Sequence, residues 1–200
     1  DYPQALDVFS STLNSLQNYV STLSQNDNTR FRSSDTGYTF ADLNESINTL
    51  RSVDYATLSS YVLGKNVTKD KASLAIYYQY RIDNLNRNLS SANEKLATIT
   101  DSIKNYQKDS MVVMAGADAT SSSALTQPSE AYDDLISQKT DAQSSVSSYQ
   151  QQITDYQSRL DKLNSSAVAS KKDQEKVETD MKTVCDKLNK LIDDVNATAD

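Results

Sequence analysis

Apolar residues recur along this chain with a strict alternation of steps. Tyr78, Ile82, Leu85, Leu89, Ala92, Leu96, Ile99, Ile103 and Tyr106 are separated by 4, 3, 4, 3 in turn. A second run begins at Tyr132 and Leu135 and passes through Lys139, Ala142, Val146, Tyr149, Ile153, Tyr156, Leu160, Leu163 and Ala167. Steps of this kind place side chains on one narrow stripe of an α-helix, the seam of paired helices. The pattern continues through Ser170, Gln174, Val177, Met181, Val184, Leu188, Leu191 and Val195. The first half carries shorter amphipathic runs. Leu6, Phe9, Leu13, Leu16, Val20 and Leu23 predict a helix over 3–24, with Pro3 in its first turn.

Punctuation divides the rest. Thr39 and Asp42 resemble a capping box ahead of a helix with Leu43, Ile47 and Leu50. A second short piece, Tyr55 to Leu63, stops at Gly64, which stands where a left-handed cap belongs. Thr68 is the expected N-cap of a helix from Lys69 to Asp109, roughly 60 Å long. The small residues, Gly116 and Pro128 of 110–130 predict a loop, with the next helix starting at Ser129 or Glu130. From there the register favours near-continuous helix to 198, about 100 Å. A kink at 164–170 stays open, because Ser170 with Asp173 could cap a fresh helix.

The lengths imply an architecture. A helix over 69–109 pairs with a return helix only to residue 168, so the seam from Val177 to Val195 needs the faces of 3–24 and 42–63. The expectation is an all-α fold: a long antiparallel helical hairpin, a coiled-coil arm, on a small helical base. The base comprises 1–63 with 170–200. The arm comprises 64–169, with a tip loop near 111–129.

Composition sharpens this reading. Three glycines and two prolines in 200 residues are too few for a turn-rich β fold. Histidine is absent, which removes the commonest general base and metal ligand. The one cysteine, Cys185, can form neither an internal disulfide nor a cysteine zinc site. No nucleotide loop, nucleophile elbow or zinc signature occurs. No catalytic residue, cofactor or metal is expected. A net charge of −7, with Lys and Arg interleaved among Asp and Glu, argues against a nucleic-acid partner. Sequons at Asn44, Asn66, Asn88, Asn164 and Asn196 are what so polar a chain contains by chance.

Two segments are candidate contact sites. Met111, Val112, Val113 and Met114 form a compact apolar patch. Val113 keeps the seam phase, so the patch reads either as one more helical turn or as an exposed contact at the tip. Arg30, Arg32 and Tyr38, with Phe31 and Phe40, read either as a contact loop for an acidic or saccharide partner or as aromatics packed on the base.

The strings "FRSSDTGYTFADL", "VTKDKASLAIYYQYRIDNLNRNL", "ITDSIKNYQKDS", "TQPSEAYDDL" and "DKLNKLIDDVNATAD" occur in this order along nearly the whole chain. Together they resemble the extracytoplasmic region of chain-length-determinant proteins, the polysaccharide co-polymerases, of the type found in Gram-positive gut bacteria. The resemblance implies a parent anchored by a transmembrane helix at each end. It implies a homo-oligomer that sets how long a surface polysaccharide grows, beside a separate polysaccharide polymerase and the growing polysaccharide. The family supplies no catalytic residues to carry over. Its membrane-proximal strands have no counterpart in this sequence. The alternative is a helical adhesin, secretion-tip or pore-forming protein that works through its tip.

Overall fold

The computed structural model describes residues 1–26, 31–116 and 130–200, with the backbone alone over 109–116. The fold is all-α. The helices are α1 (Tyr2–Asn26), α2 (Phe40–Thr49), α3 (Ala56–Gly64), α4 (Lys71–Gly116), α5 (Glu130–Ser165) and α6 (Lys171–Ala199). A π-helical turn, Leu50–Tyr55, joins α2 to α3 without a break. Among the described residues the only bridge of β type is the isolated pair Arg32 and Thr39. The chain divides into two compact units, one of Asp1–Tyr77 with Arg159–Asp200 and one of Tyr78–Ser158.

The second unit is an antiparallel pairing of α4 and α5. Tyr78 meets Tyr156 with ring centroids 5.9 Å apart, and Tyr106 meets Tyr132 at 5.4 Å. Between them Ile99 and Ile103 bury against Ala142, flanked by Leu96, Tyr132 and Leu135. The seam from Tyr78 to Tyr106 spans roughly 40 Å of helix. Every predicted seam residue of this unit is buried or half-buried, including Lys139. Tyrosine suits so thin a pairing because it buries its ring and keeps its hydroxyl near water; Tyr132 Oη accepts from Gln107 Nε2 at 3.0 Å.

The first unit has a true core. Leu6, Phe9, Leu13 and Val20 of α1 pack with Leu43, Ile47, Leu58 and Val62 and with Val177, Val184, Leu188, Leu191 and Val195 of α6. Leu50 and Leu58 both face this core. They stand eight residues apart, whereas two α-turns take up about seven. The π turn between them absorbs the extra residue. Tyr55, at its end, stacks flat on Phe9 with centroids 5.5 Å apart.

Four boundaries differ from expectation. The near-continuous helix over 130–198 is broken: α5 ends at Ser165 and α6 starts after Ser170. Ser170 and Asp173 form a complete capping box, and the Ala169 N–H donates to the Asn66 carbonyl at 3.3 Å instead of to its own helix. Ala167 and Ser170 are exposed, so the unbroken 4, 3 spacing there is not a seam. Gly64 is not the left-handed residue; Asn66 is, at φ 58°. Asn66 takes that role because asparagine tolerates the left-handed region better than other residues with a Cβ. Thr68 is not the cap of α4 either. Asp70 accepts from the N–H groups of Ala72 and Ser73, at 3.0 and 3.2 Å, and the helix begins two residues later than expected. Finally, α4 runs to Gly116, beyond Asp109 and through the first part of the expected 111–129 loop. No helix breaker precedes Gly116, and Val113 keeps the phase; residues 117–129 lie outside those described.

Candidate functional site

The best-defined surface feature near the sequence candidates is the turn 31–39 of the first unit. Gly37 adopts φ 74°, a conformation open to glycine at little cost. The Gly37 N–H donates to the Ser33 carbonyl at 2.9 Å, and the Ser33 N–H donates to the Tyr38 carbonyl at 3.0 Å. Ser33 is buried, and its hydroxyl accepts from the N–H groups of Asp35 and Thr36. Thr198 Oγ1 donates its single proton to the Asp194 carbonyl. Thr36 is therefore the donor in the 2.8 Å contact between the two threonine hydroxyls. That contact ties the turn to the last turn of α6.

These bonds place the candidates differently. The exposed Arg32 guanidinium folds back on its own turn, donating to the Gly37 carbonyl at 2.5 Å and lying 3.8 Å from Asp42. It is a strut of the turn. Asp42 itself accepts from the Thr39 N–H at 2.8 Å while the Asp42 N–H donates back to Thr39 Oγ1. That capping box, with help from Arg32, holds the Asp42 carboxyl below the usual carboxylate range. Phe31 packs on Phe40 at 6.0 Å, and Phe40 is buried. Tyr38 is 38% exposed and walls a groove of about 230 Å³. Arg30 lies outside the described residues, as do the side chains of Met111, Val112, Val113 and Met114; the backbone of those four is helical.

The groove has an apolar floor of Leu43, Leu50 and Leu191. Opposite Tyr38 stand Lys187 and Lys190 of α6. Both are paired: Lys187 Nζ lies 2.6 Å from Asp54, and Lys190 Nζ 2.8 Å from Asp194. The hydrogen bond to Asp194, with the same carboxylate's charge, holds the Lys190 ammonium above its ordinary pKa. Ser46 and Asp194 complete the polar rim. No feature of the sequence placed the α6 residues here, because the fold alone brings them to Tyr38. The one local signal was the four-residue spacing of Lys190 and Asp194, which reads as an ordinary helix-surface pair.

A larger groove, about 650 Å³, runs along the π turn, α3 and α6. At one end the Tyr61 ring lies between Lys65 and Lys176, whose ammonium groups stand 5.0 and 4.7 Å from its centroid. Tyr61 Oη donates to Asp173 Oδ1 at 2.6 Å, and Lys65 Nζ lies 3.2 Å from the same oxygen. Asp173 is also the capping-box residue of α6, so this cluster closes the α3–α6 junction. Among the described residues no group of three or more His, Cys, Asp or Glu could hold a metal ion, and no helix is long and apolar enough to cross a membrane.

Compared with known proteins, the chain matches no family model, no curated protein and no solved structure.

Proposed function

We propose that this chain is a non-enzymatic extracytoplasmic scaffold that regulates chain length in surface polysaccharide biosynthesis. The observation that carries the reading is the antiparallel α4–α5 hairpin with its continuous tyrosine-rich seam. Such a pairing provides contact surface along its length. The ordered resemblance to the co-polymerase family agrees with it. In this reading the parent is held at the cell membrane by flanking transmembrane helices and associates with copies of itself. It acts beside a polysaccharide polymerase and the growing polysaccharide.

The test is genetic. Deleting the reading frame that encodes the chain should broaden or shift the length distribution of the surface polysaccharide on a gel, and restoring it should return the original mode. An unchanged distribution would remove the scaffold reading. An adhesin would instead lose binding to its target with polymer length intact.

A further inference from the structure

We infer that the groove between Tyr38 and α6 is a binding subsite for one neutral pyranose ring. This deepens the scaffold reading, on which the polymeric source of that ring rests. Three features of the groove point to this chemistry. The first is its surface: a tyrosine ring and a leucine floor offer an apolar face, and a pyranose has an apolar face of C–H groups to lay on it. The second is its rim, where Ser46, Lys187, Lys190 and Asp194 present donors and acceptors for hydroxyl groups. The third is charge. Each lysine at the rim has a carboxylate within 2.8 Å, so the groove as a whole is neutral and does not select an anion. A volume of about 230 Å³ is enough to receive one ring, and the groove is open, so further rings of a chain could continue into solvent.

Preorganisation supports the assignment. Tyr38 is on a turn held by the Gly37 conformation, the buried Ser33 hydroxyl and the Thr36–Thr198 contact to α6. The two walls of the groove are thus fixed to each other before any ligand arrives, which lowers the entropy lost on binding.

The experiment is a nuclear magnetic resonance titration of the 200-residue chain with methyl glucoside, methyl galactoside, N-acetylglucosamine and glucuronate. At least one neutral sugar should shift the amide signals of Tyr38, Lys190 and Leu191 saturably, with Kd on the order of millimolar. Tyr38→Ala should weaken that binding about tenfold or more, and Tyr38→Phe, which keeps the ring, should hold it within about threefold. Saturation transfer from the Tyr38 ring to the sugar in the unaltered chain provides a readout that needs no variant. Absence of saturable shifts at the groove overturns the proposal. So does an affinity unchanged by Tyr38→Ala, or glucuronate binding more tightly than every neutral sugar. Sugar binding with unaltered polymer length in the deletion strain would leave the subsite standing and remove the scaffold reading. Altered length without sugar binding would do the reverse.

Discussion

Tyr61 donates a 2.6 Å hydrogen bond to Asp173, the residue that also closes the capping box of α6. One carboxylate therefore starts a helix and clasps another, and its loss should be felt at both. Tyr61, Ser170 and Lys65 together hold the Asp173 carboxyl well below its ordinary value. A carboxylate so depressed stabilises the fold above its unfolded pKa, about 4, and loses that contribution as pH falls toward the folded value. Asp173→Asn should thus lower Tm at neutral pH, with the gap to the unaltered chain narrowing as the solution is acidified below about pH 4. A gap independent of pH would place the effect elsewhere. Ser170→Ala, which removes only the capping hydroxyl, should cost about 1 kcal/mol.

The alkaline side has its own reporter. Tyr2 is buried against Glu178 and donates to it at 2.7 Å. Burial first, then that carboxylate, push the Tyr2 hydroxyl up to about 12. A raised pKa contributes stability that is complete below the unfolded value, near 10, and is lost as pH rises through the folded one. Following tyrosinate absorbance should reveal a late-titrating tyrosine that disappears in Tyr2→Phe. If the variant titrates like the parent, the late group is another tyrosine.

The seam makes a sharp pair of neighbours. Ile99 is buried against α5 and Thr98 is exposed. Ile99→Asp should cost about 3 kcal/mol or more, by losing a core side chain and stranding a carboxylate. Thr98→Asp should stay within about 0.5 kcal/mol. Equal melting of the two variants would refute the register.

Backbone conformation gives a fourth test. No neighbouring atom would meet a Cβ added at Gly64, which has no left-handed φ. Gly64→Ala should stabilise the end of α3 by about 0.5 kcal/mol. Asn66, at φ 58°, should respond in the opposite sense: Asn66→Ala should destabilise by about 1 kcal/mol, and Asn66→Gly should not. Denaturant melts of the three variants decide the matter.

What the sequence made legible follows the range of the interactions involved. The α4–α5 seam could be read because its period repeats over many turns, and the Thr39–Asp42 box because both partners lie within one turn. The break before α6 was obscured by coincidence. Residues 163–177 keep the 4, 3 spacing, yet the cap chemistry of Ser170 and the bond from Ala169 to Asn66 decide the backbone. The π turn left only the eight-residue step from Leu50 to Leu58, a single interval that in sequence reads equally as a break between two short helices. Arg32 and Tyr38 looked equivalent as contact candidates. The turn gives them different settings: the Arg32 guanidinium donates to the Gly37 carbonyl and the Tyr38 ring lines the groove.

Tyr2, Tyr61 and Tyr77 each give a phenolic proton to a carboxylate, on Glu178, Asp173 and Asp7 respectively. The chain has twelve tyrosines and no tryptophan, so tyrosine alone supplies its intrinsic fluorescence. An acceptor carboxylate quenches an excited phenol by taking its proton. The first unit thereby carries dark fluorophores at the seats of α1, α3 and α4, and each should brighten when its helix lifts away. Emission intensity then reports the loosening of these three seats together, without any label.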